Sequence, residues 1–131
     1  VVQKTIEGGE VQIGAPVPDC PHQAILEAWK AELPAMPQHE PGLWRGARQQ
    51  NLGLRWREVI VDLQRKQKPS DRAAGMRYFR KLFGWIGQSA YLTGRAPTPS
   101  PGRRPFVIEL AWLVKHENWV KVIEGKYHED H

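Results

Sequence analysis

The sequence predicts an all-α fold: a compact orthogonal domain of five or six helices behind an extended N-terminal lead-in. Three observations lead there. Apolar residues recur at helical spacing in one segment after another. The 11 prolines and 12 glycines of the 131 residues fall mostly between those segments. The β-branched run Val59-Ile60-Val61 favours strand locally, but Trp56, Ile60 and Leu63 keep a helical spacing and no partner strand is evident.

Residues 1–18 read as a flexible linker or lead-in, with a short strand over Val1–Ile6 broken by Gly8, Gly9, Gly14, Pro16 and Pro18. Residues 19–128 read as one domain and 129–131 as a tail. Asp19 or Cys20 is expected to cap a first helix with Pro21 in its first turn, where a missing amide proton costs nothing. Ile25, Leu26, Trp29 and Leu33 give that helix its apolar face, and Pro34 and Pro37 end it.

A second helix is predicted between Gly42 and about Gln64, with Leu43, Trp44, Ala47, Asn51 and Leu54 on one face. Arg65-Lys66-Gln67-Lys68-Pro69 follows as an uncovered basic turn. Ser70 or Asp71 caps the third and strongest helix, whose stripe is Met76, Phe79, Leu82, Phe83, Ile86 and Ala90, closed by Gly94. Thr98-Pro99-Ser100-Pro101-Gly102 is a rigid turn. Phe106, Leu110 and Leu113 mark a short helix, interrupted by Lys115-His116-Glu117-Asn118. Trp119, Val122 and Ile123 mark the last helix, with Gly125 as its left-handed cap.

Charge is unevenly spread. From Arg45 to Arg104 there are 14 Lys or Arg residues against Glu58, Asp62 and Asp71, a net of +11. The rest carries five against 11 acids, a net of −6. A field of one sign on a small protein attracts polyanions, nucleic acid first among them. An acidic protein partner and plain solvation are the competing explanations. Arg45 and Arg48 are three apart, and Arg77 and Lys81 four apart, so each pair shares a helix face. Arg95, Arg103 and Arg104 bracket the proline-rich turn. These seven are the candidate nucleic-acid contacts. Rows of this kind grip phosphates with little base discrimination, so weak, salt-sensitive binding to single- or double-stranded DNA is expected.

Of six tryptophans most fall on apolar faces, where core packing explains them. Trp56, between Arg55 and Arg57, is the one with the strongest case for exposure. It reads as core, as a protein-docking anchor, or as a base-stacking platform.

Other chemistry lacks its residues. Cys20 and His22 have no second pair at zinc spacing, and a helix cap and first turn explain them better. The remaining histidines are scattered. No phosphate-cradling Gly-rich loop, nucleophile elbow or carboxylate pair is present. A non-enzymatic protein without metal or cofactor is expected. One cysteine, no apolar run near membrane length and no signal pattern point to a cytoplasmic location. A chain opening at Val1 is compatible with a fragment of a longer protein.

Several segments together resemble the C-terminal domain of phage and prophage replication proteins, initiator-like proteins that often carry a winged-helix region upstream. They are Cys20-Pro21-His22-Gln23 with Ile25, Trp29 and Leu33-Pro34; Leu54-Arg55-Trp56-Arg57-Glu58; Tyr78-Phe79 with Phe83; Tyr91-Leu92-Thr93-Gly94-Arg95; and Pro105-Phe106 through Leu110-Ala111-Trp112-Leu113. The most specific is the ending, Glu117-Asn118-Trp119-Val120-Lys121-Val122-Ile123-Glu124-Gly125-Lys126-Tyr127. The resemblance spans about residues 20–128 and brings no catalytic residues. It implies a role in starting phage DNA replication, by contacting origin DNA or recruiting the replicative helicase or another replication protein. Arg55, Trp56, Arg57 and Lys121 are the candidate partner-binding residues. A sequence-specific transcription regulator and a DNA-processing nuclease are the alternatives.

Overall fold

Asp71 begins the helix around which the domain is built. Its carboxylate accepts a hydrogen bond from the Ala74 N–H at 2.9 Å, satisfying one of the free donors of the first turn. Such a cap contributes about 1 kcal/mol. In the computed structural model, which describes residues 15–98 and 100–128, the elements are α1 (His22–Glu32), α2 (Ala47–Arg65), α3 (Arg72–Ile86), α4 (Leu110–Leu113) and α5 (His116–Ile123). A single 3₁₀ turn at Pro41–Leu43 precedes α2. The chain is all-α, with no strand among the described residues. The strand expected over 1–6 and the tail at 129–131 lie outside them.

α3 packs against both α1 and α2, and α4 against α5. Met76, Phe79, Leu82, Phe83 and Ile86 form its buried stripe, as their spacing predicts. Phe79 is the hub. Its ring lies 5.9 Å from Trp56 of α2, 6.0 Å from Phe83 and 5.7 Å from Trp119 of α5. Phe83 meets the edge of Trp29 from α1 at 5.1 Å. Each aromatic pair adds about 0.5–1.5 kcal/mol beyond the area it buries.

The β-branched run Val59-Ile60-Val61 is helical because burial of Val59 and Ile60 against the core outweighs a local strand preference. The face of α2 that packs inward is Leu52, Arg55, Trp56, Val59 and Ile60. Of the face expected from Leu43, Trp44, Ala47, Asn51 and Leu54, only Trp44 is buried, and it precedes α2. Leu43 and Leu54 are 64% and 52% exposed.

Residues 15–18 are laid along α2. Gln64 Nε2 donates to the Ala15 carbonyl at 3.1 Å, and Trp56 Nε1 to the Pro18 carbonyl at 2.8 Å. Val17 packs on the core. The end of the lead-in is therefore part of the folded unit.

Other boundaries differ for local reasons. Neither Asp19 nor Cys20 caps α1. Pro21 occupies the cap position, buried, with no side-chain hydrogen bond to the first turn. α3 stops at Ile86 with Gly87 as its cap, so Ala90 and Gly94 lie beyond it. There a chain of turns begins, with Arg95 and Ala96 both donating to the Ala90 carbonyl. Phe106 lies outside α4, and the break between α4 and α5 is Val114-Lys115 alone.

Gly125 ends α5 as predicted, at φ +80°. The Lys126 N–H bonds to Lys121 O and the Gly125 N–H to Val122 O, a Schellman closure.

Candidate nucleic-acid interface

The segment Pro105–Glu109 carries the site. Ile108 is buried, and its N–H donates to the Leu92 carbonyl at 2.8 Å, pinning this strand-like stretch to the turns after α3. Leu92 is fixed in turn by Ser89, whose Oγ accepts from the Leu92 N–H and donates to the Tyr127 carbonyl. Gly94 is the point of closest approach. At φ +77°, a β-carbon there would sit 2.9 Å from Val107 Cγ2.

This clasp stacks three rings and sets a fourth, Trp112, across them. Tyr91 lies between Phe106 and Tyr127, at 5.3 Å from each and within 12° of parallel. Trp112 meets Phe106 at 4.8 Å and Tyr127 at 6.1 Å. Tyr91 is nonetheless 46% exposed, so the cluster offers ring edges, the Tyr91 hydroxyl and part of the Tyr91 ring to solvent.

Phe106 is the shared wall of two clefts. One, of about 320 Å³, has Tyr91, Phe106 and Pro105 beside Arg103 and Arg104. The other, of about 370 Å³, has Phe106 and Trp112 beside Arg48 and Lys115, with Asn51 and Glu109 also lining it. Glu109 approaches His39 at 3.7 Å. The other ion pairs among the described residues are Arg55–Glu58, Lys66–Asp62 and Lys126–Glu124. Arg48, Arg103, Arg104 and Lys115 thus carry no carboxylate within 4.0 Å among the described residues. Arg103 and Arg104 flank Phe106 in one cleft, and Arg48 and Lys115 flank it in the other, which they share with Glu109.

His39 closes one side of this region. Its ring packs 5.2 Å from Trp44, and its Nε2 accepts from the Ala111 N–H, in the first turn of α4, at 3.3 Å. An acceptor at Nε2 places the ring proton on Nδ1 in the neutral form. Burial holds the His39 pKa below the ordinary imidazole value, helped by Arg48 and opposed by Glu109.

The remaining sequence candidates separate. Arg45 is turned back on its own loop, donating twice to the Gly42 carbonyl at 2.9 and 2.7 Å. Arg95 spans Thr93 Oγ1 at 2.8 Å and the Gly87 carbonyl at 2.9 Å, which bolts the turn after α3 to its end. Arg77 lines a different groove, between α1 and α3, with Arg72 and Arg80. Lys81 is exposed but lines neither Phe106 cleft.

Two partner candidates are corrected. Trp56 is 1% exposed and Arg55 4%, so neither offers surface to a partner in this fold. Arg55 Nη2 pairs with Glu58 at 3.0 Å, and Nη1 reaches the Val114 carbonyl at 3.4 Å. Arg57 and Lys121 are exposed. Lys115, read from sequence only as part of a break between helices, lines the second cleft, and reasoning along the chain missed it as a candidate. Its place three residues after Trp112, one helical turn on, was the available signal.

Burial pushes the Cys20 thiol up to about 12, which leaves it protonated and a poor nucleophile at neutral pH. Among the described residues no three His, Cys, Asp or Glu side chains gather as metal ligands, and no helix is long and apolar enough to cross a membrane. Comparison with family models, with curated proteins and with solved structures finds no match for this chain.

Proposed function

We propose that this domain is a non-enzymatic DNA replication module of the phage initiator type. It grips DNA at the two Phe106 clefts and recruits a replication protein, the replicative helicase being the leading candidate. The observation that carries the DNA contact is the convergence of Arg48, Lys115, Arg103 and Arg104 on one aromatic wall, without a carboxylate within 4.0 Å of any of them among the described residues. Guanidinium and ammonium groups placed in this way attract phosphates and release condensed counterions on binding. The edges of Phe106 and Trp112 supply apolar contact for sugars and bases without reading sequence. The replication role rests on the sequence resemblance over residues 20–128, and Arg57 and Lys121 remain the exposed partner candidates from it.

Fluorescence anisotropy with labelled single-stranded and duplex DNA at low and physiological salt tests the reading. Micromolar binding that weakens steeply with salt supports it, and the stronger of the two probes names the strand form. Absence of binding at low salt overturns the DNA contact. Discrimination between unrelated duplexes favours a transcription regulator, and divalent-ion-dependent cleavage of the probe favours a nuclease.

A further inference from the structure

A separate groove of about 660 Å³ runs between α1 and α3 and shares no lining residue with the Phe106 clefts. Its floor is apolar and low. Ala24, Ala28 and Ala31 come from successive turns of α1, and Ala73 and Met76 from α3. The α3 wall carries Arg72, Arg77 and Arg80, all exposed. No carboxylate lies within 4.0 Å of any of the three among the described residues, although Glu27 stands on the α1 wall of the same groove. A row of guanidinium groups beside a floor of methyl groups is a surface with two demands. The floor gains from covering by apolar side chains. The row gains from carboxylates, which guanidinium binds in bidentate fashion.

We propose that this groove docks an acidic amphipathic helix from a partner protein, its apolar stripe on the alanine floor and its Asp or Glu edge along Arg72, Arg77 and Arg80. Charge complementarity selects the occupant. A nucleic-acid backbone would satisfy the arginines but would leave the methyl floor uncovered and bring phosphates against Glu27. A helix satisfies both walls, since a Lys or Arg on its far edge meets Glu27. The inference rests on this groove alone and survives failure of the DNA contact at Phe106.

The test uses the full chain and a fluorescein-labelled alanine-rich helical peptide with a Leu stripe and Glu along one edge. A control peptide carries Lys in place of Glu. Two variants probe the groove: Arg77→Ala with Arg80→Ala, which removes the charge, and Ala31→Trp, which fills the exposed end of the floor. Both lie on exposed positions, and circular dichroism checks that helix content is kept. The expected result is micromolar binding of the Glu peptide, none of the Lys peptide, and a loss of about tenfold or more in both variants. Affinity for a short DNA duplex stays unchanged in Ala31→Trp and falls by less than the peptide affinity in the arginine variant, which loses two charges from the protein's field. Equal binding of the two peptides, no binding of the Glu peptide, or a variant that loses DNA affinity while keeping peptide affinity would each overturn the proposal.

Discussion

The indole of Trp56 lies directly over the α-carbon of Gly75, so closely that a β-carbon on Gly75 would fall 2.5 Å from Cη2 and 2.7 Å from Cζ3. α2 and α3 approach at this point because Gly75 has no side chain. Trp56 cannot yield, since its ring is buried and its N–H is held by the Pro18 carbonyl. Gly75→Ala is expected to destabilise the domain by about 1–3 kcal/mol, although alanine is the better helix former. Urea unfolding followed by tryptophan fluorescence measures it. A neutral or stabilising effect would show that the two helices part at no cost.

Gln67 ends α2 in a conformation suited to glycine. Its φ is +57°, the Lys68 N–H bonds to Leu63 O and its own N–H to Gln64 O. This is the same Schellman closure as at Gly125, without glycine at the left-handed position. Gln67→Gly is expected to raise stability by about 0.5–1 kcal/mol, the relief of left-handed strain exceeding the added freedom of the unfolded chain. The measurement is the shift in unfolding midpoint, and a lower midpoint would contradict the account.

Arg55 acts on stability rather than on a partner. Its guanidinium is buried with one good pair, to Glu58, one long bond, to Val114 O, and no partner for Nε. A buried ion with incomplete partners repays little of its desolvation, so an apolar group of similar length is as good or better. Arg55→Met is expected to leave the unfolding free energy within about 1 kcal/mol of wild type, and Arg55→Ala to lower it by about 2–3 kcal/mol through the cavity left behind. Neither is expected to alter DNA affinity. A DNA defect in well-folded Arg55→Met would place this residue at the interface instead.

Stability is expected to fall on mild acidification. Burial lowers the pKa of both His22 and His39, so the folded state keeps these rings neutral while the unfolded chain protonates them near the ordinary value of 6.5. The unfolded state then binds more protons, and stability drops as pH falls through about 6.5 toward the folded-state values. Protonation of His39 also replaces an acceptor at Nε2 with an N–H, which breaks the contact with the Ala111 N–H at the start of α4. Urea midpoints across pH 5 to 8 check this, the interval in which imidazole titrates. His39→Asn should flatten part of the slope, and a flat wild-type profile would contradict it.

What was legible in the sequence was whatever a single helix decides for itself. The stripe of α3, its Asp71 cap and the Gly125 closure follow from spacing and local hydrogen-bond chemistry. The buried face of α2 was legible only in its second half, where Trp56 and Ile60 keep a helical spacing. Leu43 and Leu54 look apolar yet are exposed, while Arg55 goes inward because Glu58 and the carbonyl of Val114, 59 positions away, receive it. Flanking arginines said nothing about Trp56, since neighbours in sequence project about 100° apart on a helix. Arg48, Arg103 and Arg104 were individually visible as charges. Their meeting at Phe106, with Lys115 added, depends on long-range contacts such as Ile108 to Leu92 that carry no local signature. His39 as a cap for α4, 72 positions away, belongs to the same class.

The central claim is that the Phe106 clefts hold phosphates, and the dependence of DNA affinity on salt tests it most directly. Log affinity against log salt is to be compared for wild type and for Arg48→Ala with Arg103→Ala and Arg104→Ala, all at exposed positions. The account predicts weaker binding at low salt and a slope shallower by about 0.7–0.9 for each phosphate contact removed. The same slope and affinity in the variant would place the DNA contact elsewhere and contradict it.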